Sequence, residues 1–228
     1  MGLDQYLGRY HKPDITKTHF NVEETEKLRD WGNNYHLLSS LPNCFKDIAK
    51  EVTVTNQLYN MEKISQDFAN GEKLSIGGYG NGKIFFRNYE KDIRLDLSYE
   101  QIKDDHLINK EETAYLVQGE FEVAYWRKAN QIRQWFVDHI EEFDEDDNGD
   151  YYEVTKELLE DLIVDCKYVL DNHDEADEVM PSSSGFFFGS TDYDEWYFET
   201  LENTIEMCER VIKETDWDNE IVVYTESW

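Results

Sequence analysis

The chain has 228 residues, room for one large domain or two small ones, and its 39% apolar and 14% aromatic content is enough to build a core, which excludes intrinsic disorder. Twenty-two Lys and Arg stand against 51 Asp and Glu, a formal charge of −29 that excludes direct nucleic-acid and anionic-membrane partners. Cys44, Cys166 and Cys208 show no CxxC spacing, which excludes a disulfide framework or zinc knuckle and points to a reducing cytoplasm.

Gly2 to Tyr10 reads as a short strand, and the segment offers neither a signal peptide nor, with Tyr6 at the sixth position, a myristoylation site. Asn21 caps a helix from about Val22 to Trp31, and after Pro42 a second helix is expected from Cys44 to about Val52. EVTVTNQLYN mixes both periodicities and stays open. KLSIGGYGNGKIFFRN reads as a hairpin turning at Asn81-Gly82; Ile84 follows Lys83 where a phosphate loop needs Ser or Thr. Ile93 to Leu97 is the next strand. From about Glu120, apolar Val123, Trp126, Ala129, Ile132, Phe136 and Ile140 predict one long amphipathic helix. A second helix carries Leu159, Leu162, Ile163, Cys166 and Leu170. A third starts at Ser190-Thr191-Asp192, after a Gly-flanked aromatic strand, with Tyr193, Tyr197, Leu201, Ile205, Cys208 and Ile212 inward. No window reaches the roughly 18 apolar residues of a membrane span. The tail EIVVYTESW is a closing strand that pairs with the N-terminal one.

The expected fold is therefore α+β, with three long amphipathic helices packed on a small antiparallel sheet that includes both termini. It is one domain over 1–228, with a mixed, hairpin-containing region at 11–117 and an acidic helical core with its closing strand at 118–228.

Charge is unevenly spread: residues 1–120 hold 20 acidic and 15 basic residues, whereas 121–228 hold 31 and 7. Folding does not require such a split, so it bears on binding. Asp144, Asp146, Asn148 and Gly149 match the first half of a calcium loop, but Thr155 stands where the bidentate Glu belongs, so a solvated connection is expected. Tyr125, Trp126, Arg127 and Asn130 bring rings, a guanidinium and an amide together, while Gly189-Ser190-Thr191 reads as a helix cap flanked by Asp192 and Asp194. The six histidines form no HxH or HExxH, and no nucleophile motif marks an enzyme.

Three segments, MGLDQYL at the start, EVAYWRKANQIRQWFV in the centre and SGFFFGSTDYDEWY near the end, resemble the hallmark segments of a family of uncharacterised phage and prophage proteins. The resemblance covers roughly residues 1–10 and 118–212 and implies an accessory protein acting inside a bacterial host cell. It implies no activity.

The leading expectation is an acidic, cytoplasmic binding protein that inhibits or redirects a basic host protein, a defence or nucleic-acid-handling factor, by mimicking nucleic acid. Its carriers would be Glu141, Glu142, Asp144, Asp146, Asp147 and Asp150, with Asp174, Glu175, Asp177 and Glu178. The rival is a pocket for a nucleotide-like ligand, with Tyr125, Trp126, Arg127 and Asn130 facing Phe187, Ser190 and Tyr193. A metal-dependent hydrolase on acidic ligands is a third reading. No cofactor is called for.

Overall fold

The computed structural model describes residues 2–30, 34–141, 143–144, 148–186 and 188–228. In chain order the elements are β1 (Asp4–His11), β2 (His19–Phe20), α1 (Val22–Leu28), β3 (Tyr35–Leu38), β4 (Lys50–Tyr59), α2 (Met61–Ala69), β5 (Ser75–Gly80), β6 (Lys83–Asn88), β7 (Ile93–Ser98) and β8 (Leu107–Arg127). They continue with α3 (Asn130–His139), β9 (Tyr152–Val154), α4 (Lys156–Asp171), α5 (Ala176–Val179), α6 (Glu195–Glu214) and β10 (Glu220–Ser227). The class is α+β, but ten strands among the described residues replace the small sheet expected, and six helices replace three.

The chain forms two compact units. The first comprises residues 1–16, 31–51 and 115–228. Here β1 lies between β8 and β10, antiparallel to both; β9 extends the sheet beyond β10, and β3 pairs with Tyr115–Gln118 of β8. The two termini thus pair, with Asp4 opposite Ser227 and His11 opposite Glu220. Gly119 is required where β8 passes β1: its φ is +159° and a Cβ there would sit 2.0 Å from the Arg9 carbonyl oxygen. One sheet face is covered by α3, α4 and α6, whose Ile132, Phe136, Leu159, Leu162, Cys166, Leu201 and Cys208 are fully buried with Leu7, Val222 and Tyr224.

The second unit comprises residues 17–30 and 52–114. In it β2 runs parallel to β4, and β5, β6 and β7 form an antiparallel sheet. Asn81 and Gly82 have φ of 52° and 71°, the left-handed pair a two-residue hairpin turn needs, so GGYGNG makes a hairpin and no phosphate loop. Ile64, Leu74, Ile84, Phe86 and Leu97 close its core. Asn21 caps α1, as its sequence predicts, and Glu24 completes a capping box with it.

Four expectations are corrected. The helix expected over Cys44 to Val52 is a single 3-10 turn, Asn43–Phe45, and β4 has begun by Lys50: the β-branched run Val52, Thr53, Val54, Thr55 favours the strand. The long helix expected from Glu120 is a strand up to Arg127; Lys128 takes a left-handed φ of 57° that breaks the chain direction, and α3 starts only at Asn130. The third helix begins at Glu195 with Asp194 as its cap, so Ser190 and Thr191 precede it, and Tyr193 is 39% exposed. The aromatic strand expected before it is absent among the described residues of 182–193; Phe186 stands 96% exposed.

Candidate functional site

Every feature below lies in the first unit. Helix α6 buries Tyr197, Leu201, Thr204, Cys208 and Val211. At about 3.6 residues per turn, Glu195, Glu199, Glu202, Glu206 and Glu209 follow the same four-three spacing on the opposite side, and all five are exposed. They form a carboxylate stripe about 21 Å long. Among the described residues, only Glu209 of the five pairs with a cation, Lys167 of α4, at 2.9 Å. On α4 the outward positions Glu157, Glu160, Asp161 and Asp171 continue the acidic surface, with Glu160 3.5 Å from Lys156.

The carriers expected from sequence fall beside these helices. Glu141, Asp144 and Asp150 are exposed on the connection after α3, where Asn148 bonds the backbone of Trp228 at both its amide atoms. Glu142, Asp146 and Asp147 lie outside the described residues. Asp174, Glu175, Asp177 and Glu178 are exposed around α5, and Glu175 accepts the Tyr168 hydroxyl at 2.6 Å. The α6 stripe, absent from that expectation, is legible as an i, i+4, i+7 row of Glu. No cluster of three metal-ligating side chains exists among the described residues.

The hallmark segments do meet, in a different way from the pocket expected. Asn130 is fully buried at the start of α3; its amide nitrogen donates to the carbonyls of Phe188 (3.2 Å) and Ser190 (2.7 Å), and its amide oxygen accepts from the Ser183 backbone (3.0 Å). Asn130 is therefore a clamp on the 183–190 loop, with its side chain spent on backbone groups. Trp126 is buried, donates to the Thr204 hydroxyl at 2.9 Å and packs edge-on to Phe136, so it is core. Ser190 bonds Asp192, and Tyr193 accepts from the Ser182 backbone while packing on Tyr197. Phe187 lies outside the described residues.

Tyr125 and Arg127 point the other way, as strand alternation demands. Tyr125 donates to Asp4 at 2.5 Å, and that bond, with burial and the Asp4 charge, pushes its hydroxyl up to about 12. Arg127 is exposed, with its Nε 4.0 Å from Asp4. Both line a groove of about 530 Å³ between the end of β8 and α6, whose helix wall carries Trp196, Thr200, Asn203, Glu206, Met207 and Arg210.

The buried cation of this region is Arg133, which no motif singled out. Its Nε donates to both carboxylate oxygens of Glu226, at 2.9 and 3.1 Å, and both residues are almost wholly buried. Tyr224 and Trp228 also donate to Glu226, at 2.8 and 3.2 Å, and the Arg133 guanidinium lies 4.8 Å over the Phe188 ring. Burial and the Glu226 charge hold the Tyr224 hydroxyl far above its ordinary range. This network ties α3, β10 and the hallmark loop together. Comparison with family models, with curated proteins and with solved structures finds no match to this chain.

Proposed function

We propose that this chain is a phage-encoded acidic binding protein that inhibits or redirects a basic host protein, a defence or nucleic-acid-handling factor, by occupying the surface where that protein holds nucleic acid. The observation that carries the reading is the α6 stripe of exposed Glu, set opposite the buried face and answered by few cations. Along the helix the stripe offers about one carboxylate per 5 Å. A DNA strand offers one phosphate per roughly 3.4 Å of axis, and α4 alongside brings the two densities closer. A partner groove lined with Lys and Arg would meet an acidic ridge of comparable charge spacing, and steering would speed the encounter.

The test is capture of the partner from host lysate, followed by affinity measurements on the purified pair at about 0.1 M and about 1 M ionic strength, where the screening length falls from roughly 10 to 3 Å. Affinity should drop more than tenfold over that range. It should drop again in the triple variant Glu199→Lys, Glu202→Lys, Glu206→Lys, and duplex DNA should compete with the wild-type chain. Affinity indifferent to salt and to the triple variant would overturn the reading.

A further inference from the structure

The groove between β8 and α6 shares Glu206 with the acidic ridge but carries its own chemistry. Arg210 sits among carboxylates, with Glu206 one turn before it and Glu214 one turn after, a spacing at which helical ion pairs form readily. It pairs with neither; its Nη2 donates to the Val123 carbonyl on β8 at 2.8 Å, across the groove. That bond uses one of five guanidinium N–H donors and holds the group on the groove wall. Arg127 reaches the same space from the strand side with 63% of its side chain exposed, and its nearest carboxylate, Asp4, is 4.0 Å away and already taken by Tyr125. Two guanidinium groups, one from each wall, therefore retain free donors. Between them Tyr125 and Trp196 leave ring surface open, at 37% and 40% exposure.

We infer that this groove binds a planar aromatic ring carrying a single phosphate, the chemistry of a nucleoside monophosphate. The ring lies against Trp196 and Tyr125, since every base presents a face that stacks on an aromatic side chain. The phosphate is forked by Arg127 and Arg210, the geometry guanidinium groups suit best. Asn203 and Thr200 supply neutral hydrogen-bonding groups on the helix wall. The volume of about 530 Å³ falls within the roughly 300–1,000 Å³ of small-ligand sites. Glu206 on the same wall leaves one net positive charge in the lining, which favours a monophosphate over longer phosphate chains.

Calorimetric titration of the full chain with adenosine and uridine 5′-monophosphates tests this, with the two nucleosides and inorganic phosphate as separate titrants. Saturable binding of at least one monophosphate is expected below about 1 mM, at least tenfold tighter than its nucleoside or phosphate alone. Arg127→Ala and Arg210→Ala should each weaken it about tenfold without moving the melting temperature by more than a degree or two. Lys128→Ala, an exposed neighbouring cation outside the groove, should leave it unchanged. No saturation by either monophosphate would overturn the inference, as would arginine variants that bind like the wild type, equal binding of inorganic phosphate alone, or an equal loss in Lys128→Ala. Charge reversal at Glu199 and Glu202 alone, which lie outside the groove lining, reads the ridge and Arg127→Ala reads the groove, so failure of one leaves the other standing.

Discussion

Removing the cation of the buried pair, by Arg133→Met, should be the most damaging single polar substitution in the first unit. Glu226 would keep the Tyr224 and Trp228 donors but lose both Nε bonds, at 2.9 and 3.1 Å, and with them the paired cation, while remaining about 2% exposed. Stranding one partner of a buried pair costs about 3–5 kcal/mol, and for a chain of this size each kcal/mol moves the melting temperature by about 2–4 °C. A fall of roughly 6–20 °C is expected. The double variant Arg133→Met, Glu226→Leu removes the orphaned charge as well, and should recover at least about 2 kcal/mol of the sum of the two single losses. Urea titration followed by tryptophan fluorescence measures all four proteins, with the slope checked for constancy. A single-variant loss under about 1 kcal/mol, or a double variant as unstable as the two singles added, would refute the role given to this pair.

Asn130→Ala should cost about 2–4 kcal/mol, because it leaves the carbonyls of Phe188 and Ser190 and the Ser183 amide without their partner; proteolysis at the 183–190 loop should speed up with it. Thiol labelling of the native chain near pH 8 should be slow at all three cysteines: burial pushes Cys44 and Cys208 up to about 12 and Cys166 well above its ordinary value. All three should react at once in denaturant, and fast native labelling of Cys44 would contradict its packing. Burial lowers the His36 imidazole, whose Nε2 lies 3.1 Å from the Gly119 carbonyl oxygen. Its folded-state pKa lies below the unfolded one, so protonation favours unfolding: its contribution is complete above about pH 6.5 and is lost as pH falls through the folded value. His36→Gln should therefore flatten the decline in melting temperature between about pH 7 and 5, and an unchanged acid limb would count against it.

The features that sequence revealed are those in which one local signal has one physical solution. Asn81-Gly82 makes a tight turn, Asn21 ahead of acidic first-turn residues makes a helix cap, and the β-branched tail needed an edge that β1 supplied. The segment FEVAYWRKAN misled because Val123, Trp126 and Ala129 satisfy a helical spacing, while Ala124 and Trp126 inward with Tyr125 and Arg127 outward satisfy a strand one. Over so few residues periodicity does not decide, and the pairing of Asp4–Leu7 with Ala124–Arg127 does. That error carried over to the site. A helix would have put Arg127 and Asn130 on one face, whereas the left-handed Lys128 turns Asn130 into the core and leaves Arg127 at the groove. Arg133 and Glu226 were invisible for another reason: 93 positions separate them, and although Arg133 lies in the EVAYWRKANQIRQWFV segment, nothing in that segment points to the tail that holds Glu226.

The acidic ridge should also make stability rise with salt. Along α6 the successive pairs Glu195/Glu199, Glu199/Glu202, Glu202/Glu206 and Glu206/Glu209 are like charges three or four residues apart, each unfavourable by about 0.2–0.5 kcal/mol. Together they oppose folding by roughly 1–2 kcal/mol at low ionic strength. Salt also screens the exposed pairs Lys167–Glu209 and Lys156–Glu160, which are worth at most about 0.5 kcal/mol each, whereas the buried Arg133–Glu226 pair is largely beyond its reach. Set against this attraction, the repulsion leaves a net of up to about 1 kcal/mol, so sodium chloride from about 0.02 M to about 0.5 M should raise the melting temperature by up to about 4 °C. The neutral triple variant Glu199→Gln, Glu202→Gln, Glu206→Gln should melt higher than the wild type at low salt and respond less to added salt. A melting temperature that falls with salt, or a triple variant less stable than the wild type, would show that these carboxylates make stabilising contacts within the chain. They would then no longer be a surface kept at a cost to folding.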